Sequence, residues 1–158
     1  MDIFAFTPKH KIFIEGHRGV NREFYQNTLD SFKQAIKYDI DSIELDIWLT
    51  KDKIPVVVHG GDKGELEDHV IDIEKNIIVN NLLLSEIEKL KTKETMQKIP
   101  TLNEVLDLCK NKIFINIELK DPNFKETFDK VINLLEEKKM INQIAISSFH
   151  HDYFDEKN

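Results

Sequence analysis

The sequence predicts an α/β fold built on a largely parallel sheet. Segments with strand-like alternation of apolar residues take turns along the chain with segments of helical spacing, and this order is typical of parallel sheets covered by helices. Polar residues also recur where the predicted strands end, which is the edge at which α/β barrels place their active sites. Because typical domains contain roughly 50 to 250 residues, the chain is predicted to form a single domain over residues 1–158.

The first half of the chain is predicted to contain three strands and one helix. Residues 11–16 are rich in β-branched and aromatic side chains and end in glycine, which predicts a strand. Thr28 can cap a helix that continues to about Tyr38. Residues 42–49 alternate strictly, and the apolar run 55–59 follows closely. The link between these two strands is too short for a helical crossover, so a hairpin or an irregular return is expected.

The second half is predicted to alternate helices with two further strands. Residues 60–84 show no clean period, and capping-box spacings then occur at Ser85 with Glu88 and at Thr101 with Glu104. The predicted elements are helices at 85–93 and 101–110, a strand at 113–119, a helix at 124–139 and a strand at 143–149.

Charge and composition restrict the partners of the chain. The formal net charge of −7 argues against a general nucleic-acid or anionic-membrane surface, because both need basic patches. No stretch approaches the roughly 20 apolar residues of a membrane span, and the first residues lack the pattern of a signal peptide. A cytoplasmic location is therefore expected. Cys109, the only cysteine, lies in an apolar helical pattern and is expected to be a buried, reduced thiol.

Three carboxylates lie on the polar faces of the predicted strands. Glu44 and Asp46 share one face of the strand at 42–49, and Glu118 lies on the strand at 113–119. Three hard oxygen donors suit Mg²⁺ or Ca²⁺ better than zinc. Mutual repulsion between three close carboxylates also calls for a cation, so these residues form a candidate metal site.

Two histidines and two cations complete the candidate site. His17 and His59 each follow a predicted strand and could supply a proton donor and a proton acceptor near neutral pH. Arg18 and Lys120 could hold an anionic substrate, the first through its planar fork and the second as a point charge. The remaining histidines have no motif around them and are expected at surface or terminal positions: His10, His69, His150 and His151.

The motifs occur in an order that is itself informative. The chain carries His-Arg-Gly at 17–19, Asn-Thr at 27–28, Glu-Leu-Asp at 44–46, Pro-Val-Val-Val-His at 55–59, Ile-Glu-Leu-Lys at 117–120 and Ser-Ser-Phe at 147–149. Each motif alone is weak, but the ordered set resembles the glycerophosphodiester phosphodiesterase family, within the phosphatidylinositol-phospholipase-C-like barrels. The resemblance runs from about Ile12 to Phe149.

The resemblance implies a fold, a reaction and a set of roles. The fold would be a TIM-type (β/α)₈ barrel, and the reaction would be the metal-dependent hydrolysis of glycerophosphodiesters to glycerol phosphate and an alcohol. By position in the motifs, the implied roles are a metal site of Glu44, Asp46 and Glu118, an acid and a base at His17 and His59, and phosphate contacts from Arg18 and Lys120.

Three features depart from the family's pattern. Gln26 stands where the family usually has a glutamate, and Gly60 stands where an aspartate often follows the histidine. The pair His59–Gly60 resembles the related phospholipases C. A closed eight-stranded barrel takes about 200 residues or more, so five predicted strands indicate an incomplete barrel with about five of the eight.

Two other functions stay open at this point. A phospholipase C or D type of reaction on an intact lipid is compatible with the same barrel class, and His59–Gly60 favours it slightly. Alternatively, the chain is a non-catalytic fragment whose unpaired strand edges associate with a partner chain.

Overall fold

Five β-strands form one sheet in the computed structural model, which describes residues 7–20, 22, 24–66, 69–71 and 77–149. Within these ranges the strands are β1 (Glu15–Gly16), β2 (Ser42–Leu49), β3 (Pro55–Val57), β4 (Phe114–Leu119) and β5 (Ile144–Ser147). The α-helices there are α1 (Leu29–Lys37), α2 (Leu84–Ile87), α3 (Leu102–Cys109) and α4 (Phe124–Lys138). Short 3₁₀ turns occupy Val79–Asn81 and Ile141–Gln143. None of the helices in the described ranges has the length and apolar character needed to cross a bilayer.

The sheet is parallel except at one strand. β1, β2, β4 and β5 run parallel in that spatial order. β3 is antiparallel to β2, which confirms the predicted hairpin. Among the described strands, β1 and β5 lie at the two ends and do not pair with each other, so the sheet is open rather than a closed barrel.

β2 is the centre of the sheet, and every one of its residues is buried. Alternate side chains of β2 and β4 pack in one apolar cluster with residues of α1, α3 and α4. The opposite face of β2 carries the acidic residues and Trp48, which packs in a second apolar cluster with residues of the segment that follows β3. The residues of β5 are half-buried or exposed, as expected for the last strand of an open sheet.

Helix caps fix two of the predicted helices in place. The hydroxyl of Thr28 accepts a hydrogen bond from Ser31 N (3.3 Å) at the start of α1. At α3, Thr101 Oγ1 accepts from Glu104 N (3.2 Å), and Glu104 Oε2 accepts from Thr101 N (2.8 Å). These caps satisfy backbone N–H groups that have no partner inside the helix. The buried state of Cys109 on α3 is also as predicted.

Two predicted elements differ from the structure. The strand expected at 11–16 is reduced to Glu15–Gly16, because the Asp41 carboxylate binds Ile14 N (2.9 Å) in place of a strand partner. The helix expected at 85–93 is one turn, Leu84–Ile87. Its cap lies two residues earlier than the Ser85 spacing indicated, since Glu86 Oε2 accepts from Leu83 N (2.7 Å).

Replacing Thr101 with alanine is expected to lower the free energy of unfolding by about 1 kcal/mol, because Glu104 N loses its acceptor. The matched control is Ser85→Ala, since Ser85 is exposed and caps no helix in the structure. It is expected to change the free energy of unfolding by less than about 0.5 kcal/mol. Urea titration of both variants measures the difference, and equal losses would contradict the cap assignment.

Candidate functional site

Three acidic side chains meet on the face of the sheet that is turned away from α1, α3 and α4. Glu44 and Asp46 are two residues apart on β2 and therefore share a face. Glu118 on β4 pairs with Asp46 in the parallel register. One carboxylate oxygen from each of the three residues lies within 4.8 Å of the others. The structure thus brings together the three carboxylates that the sequence singled out.

Glu44 and Asp46 are buried, Glu118 is half-buried, and all three carboxylates lack part of their hydrogen bonds. Glu44 is 6% and Asp46 0% exposed. Within the described part of the chain, Glu44 Oε1 and Asp46 Oδ1 are buried acceptors without a hydrogen-bond donor, and Glu118 Oε1 meets only the Lys120 ammonium, at ion-pair distance but outside hydrogen-bond geometry. Buried acceptors of this kind are destabilising unless another group satisfies them. Three such oxygens on neighbouring carboxylates match the donor set of a hard divalent cation, so these residues could hold one.

The turn after β1 brings the His17–Arg18 segment to this cluster. Arg18 and Gly19 adopt left-handed backbone conformations, with φ of 58° and 85°. A Cβ on Gly19 would overlap the Ser31 hydroxyl, so this position requires glycine. The turn directs Arg18 N to Glu44 Oε2, to which it donates a hydrogen bond (3.0 Å).

Two cations flank the acidic cluster. Arg18 Nε lies 3.2 Å from Asp46 Oδ2, within ion-pair distance but outside hydrogen-bond geometry, and Arg18 Nη1 donates to Gln26 Oε1 (2.6 Å). On the other side, Lys120 Nζ lies 2.9 Å from Glu118 Oε1 and 3.6 Å from Asp46 Oδ1. Two positive side chains thus face three acidic ones, which leaves the fully ionised cluster with a net negative charge.

The two candidate histidines lie on different sides of the cluster. His17 is largely exposed, and its Nε2 is 3.8 Å from Glu44 Oε2. His59 follows β3 and is half-buried. A cavity of about 350 Å³ opens beside it, with Trp48, Glu118 and Lys120 among its lining residues. All seven candidate residues are therefore located at one edge of the sheet.

Burial shifts the protonation of two groups in the site. Burial raises the pKa of Glu44 from 4.5 to about 7, and the charges of Asp46 and Glu118 add to the rise. Burial also lowers the pKa of His59 from 6.5 to about 4, an effect that nearby positive charges reinforce and Asp46 opposes. At neutral pH His59 is therefore uncharged, and Glu44 is close to half-protonated.

Sequence reasoning missed two residues of this region. His69 was expected at the surface, which is wrong: it is 8% exposed, and its ring contacts the ring of His59 edge-on at a centroid distance of 5.5 Å. Asn27 was singled out only as part of the Asn-Thr motif and was given no role in the site, yet its side chain binds Asp46. No local pattern links either residue to its partner. His10 pairs with Asp41 at 3.1 Å, and the expectations for His150 and His151 lie outside the described residues.

Comparison with known proteins identifies the family. A sequence model described as the Glycerophosphoryl diester phosphodiesterase family matches residues 17–156, which includes all seven candidate residues. The chain belongs to this family. A glycerophosphodiester phosphodiesterase from Caldanaerobacter subterraneus subsp. tengcongensis is 35% identical over 155 residues, which is 89% of this chain and 59% of the relative.

Solved structures of the glycerophosphodiester phosphodiesterase family match the fold. The enzyme from Thermotoga maritima has a TM-score of 0.73 at 31% identity, over 94% of this chain and 58% of that one. A phosphodiesterase from Oleispira antarctica, solved in complex with the product sn-glycerol-3-phosphate, has a TM-score of 0.76 at 26% identity, over 87% of this chain and 57% of that one. The predicted TIM-type barrel class is confirmed, and the described chain forms an open five-stranded part of such a barrel. The chain spans about three-fifths of the length of its relatives.

The raised pKa of Glu44 can be measured directly. Carboxyl ¹³C NMR of the cation-free protein is expected to show Glu44 titrating near pH 7. Glu65 serves as an internal reference, because the backbone N–H of Lys63 lowers its pKa below the ordinary value. In the Glu118→Gln variant the Glu44 midpoint should fall, since one of the neighbouring negative charges is removed. A Glu44 midpoint near 4.5 in the wild type would contradict the described burial.

A stability profile alone would not isolate this shift. Because the folded pKa of Glu44 is raised, its contribution to stability decreases as pH rises from 4.5 to about 7. The lowered pKa of His59 has the opposite sign, so its contribution increases between about pH 4 and 6.5. The two slopes oppose each other over most of this range, which is why the residue-specific titration is the appropriate measurement.

Proposed function

We propose that this chain carries the metal-binding, phosphate-binding and proton-transferring residues of a glycerophosphodiester phosphodiesterase, which hydrolyses glycerophosphodiesters to glycerol phosphate and an alcohol. The observation that carries the proposal is the cluster of three carboxylates with unsatisfied buried oxygens beside a cavity lined by Lys120. The family match and the glycerol-phosphate complex of the Oleispira antarctica protein support this class of substrate.

Glu44, Asp46 and Glu118 would hold the cation, which is Mg²⁺ or Ca²⁺ because all three donors are carboxylates. When bound, a divalent cation would polarise the phosphate oxygens and balance the charge that develops on them. The acidic residues also have a role of their own. Glu44 and Asp46 restrain the Arg18 segment through the contacts to Arg18 N and Nε.

Arg18 and Lys120 would bind the phosphate of the substrate. Each lies against the acidic cluster from a different side, so a phosphate placed above the cluster could contact both. Arg18 presents a planar guanidinium whose Nη1 is already held by Gln26, which limits the orientations that the fork can adopt. The neutral Gln26 amide orients Arg18 without removing its charge.

His59 and His17 would move the protons. The pKa of His59 is lowered to about 4 by burial, so its imidazole is uncharged at neutral pH and can accept a proton. The exposed His17, at 3.8 Å from Glu44, would then donate a proton to the leaving alcohol. The cavity beside His59 would receive the non-reacting part of the substrate.

We also propose that further polypeptide packs against the edge of β5. Its residues are half-buried or exposed, and among the described strands it pairs only with β4. An open strand edge with partly exposed apolar side chains favours association. The single-domain arrangement of residues 1–158 and the cytoplasmic location stay predictions.

Turnover of glycerophosphocholine tests the proposal. With Mg²⁺ or Ca²⁺ the chain should release glycerol phosphate, and EDTA should abolish the release. Glu118→Gln should lower kcat/KM by at least about 100-fold, because loss of a ligand should exceed the effect of losing a group that only supports one. Glu136→Gln, at an exposed position of α4, is the matched control and should leave turnover unchanged.

Three results would count against the proposal. Turnover that persists in EDTA would exclude the cation, and full activity of E118Q would exclude the acidic cluster. Hydrolysis of phosphatidylinositol without hydrolysis of glycerophosphocholine would instead support a phospholipase C type of reaction.

A further inference from the structure

Asn27 occupies an unusual position in the chain. It lies in the turn before α1, it is 3% exposed, and its φ of 55° is in the left-handed region. Glycine, asparagine and aspartate adopt this conformation most readily. Of these three, asparagine alone has a side-chain donor.

The side chain of Asn27 uses that donor on Asp46. Asn27 Nδ2 donates to Asp46 Oδ2 (2.8 Å), and Asn27 Oδ1 lies 3.5 Å from Asp46 N as an acceptor. The orientation of the amide follows from chemistry, because a carboxylate can only accept and a backbone N–H can only donate. The carboxamide therefore contacts both the side chain and the backbone of Asp46.

This contact gives the two oxygens of the Asp46 carboxylate different surroundings. Oδ2 is held by Asn27 and lies near Arg18 Nε. Oδ1 has no hydrogen-bond donor in the described structure. A neutral donor fixes the carboxylate without adding charge, so the second oxygen stays available to a cation together with Glu44 and Glu118.

The backbone of Asn27 ties the same carboxylate to the turn after β1. Asn27 N donates to Arg18 O (3.0 Å), and the Ser31 hydroxyl donates to the same carbonyl (3.1 Å). Asn27 thus connects Arg18 on the turn with Asp46 on β2 through hydrogen bonds, although the two residues are far apart in the sequence.

We infer that Asn27 is a positioning residue for cation binding: it holds Asp46 Oδ2 so that Asp46 Oδ1 points into the acidic cluster. The inference rests on the proposed function, in which Glu44, Asp46 and Glu118 hold the cation. Asn27 itself acts through Asp46. Loss of a group that orients a metal ligand typically lowers metal affinity by about 10- to 100-fold.

The test compares two substitutions at the same backbone conformation. Asn27→Gly keeps the left-handed turn and removes the carboxamide. Asn111→Gly is the matched control, because Asn111 has φ of 59° and is exposed in the turn that precedes β4, at the end of that strand opposite to Glu118. Calorimetric titration with CaCl₂ and with MgCl₂ at pH 8 should give an affinity about 10- to 100-fold weaker for N27G and unchanged for N111G. N27G should unfold at a lower temperature than N111G without cation, because it loses the buried hydrogen bond to Asp46, so the titrations are run well below both unfolding midpoints.

A measurement on the wild type makes the test independent of variant folding. The side-chain amide resonance of Asn27 should shift when Ca²⁺ is added, because a cation on Asp46 Oδ1 draws charge from Oδ2 and weakens the hydrogen bond that Oδ2 accepts from Asn27, whereas the amide resonance of Asn111 should not shift. Equal affinities of the wild type and N27G, or an unshifted Asn27 amide, would overturn the inference. If the wild type binds neither ion, the proposed cation site itself fails.

Discussion

Repulsion among three carboxylates on one sheet face is the constraint on which the site depends. Oxygens of Glu44, Asp46 and Glu118 lie within 4.8 Å of one another. Two like charges at about 4 Å repel by about 4 kcal/mol at an effective dielectric constant near 20. The fold tolerates this arrangement because Arg18 and Lys120 flank the cluster and Glu44 holds its proton to about pH 7. A divalent cation would relieve the same repulsion more completely.

The rest of the described fold keeps the carboxylates in this arrangement. β2 is buried along its whole length, so the apolar side chains between the acidic residues anchor the strand against the helices. β4 is held beside it by the parallel register that sets Glu118 next to Asp46. The turn at Gly19 then positions Arg18, and Asn27 links that turn to Asp46. Rigid strands thus carry the acidic groups, whereas loops carry the groups proposed to meet the substrate.

The shared strand face of the carboxylates and the family of the chain could both be predicted from the sequence. The period of a strand puts Glu44 and Asp46 on one face whatever lies around them, and the order of the motifs indicated the family. The register between β2 and β4 could not be predicted, because packing between distant segments sets it. The contacts of Asn27 and His69 were missed for the same reason. The cap of α2 was predicted two residues too late for a local reason. Leu83 with Glu86 has the same spacing as Ser85 with Glu88, and the cap formed at the earlier pair.

The most direct test of the account is to locate a bound cation by paramagnetic broadening. Mn²⁺ is a hard ion that accepts carboxylate ligands, as Mg²⁺ and Ca²⁺ do. Added at substoichiometric amounts, it should broaden the carboxyl ¹³C resonances of Glu44, Asp46 and Glu118 first, and excess Mg²⁺ should reverse the effect. Broadening spread equally over exposed acidic residues such as Glu136 would contradict the proposed site, because it would mean that Glu44, Asp46 and Glu118 do not bind a cation together.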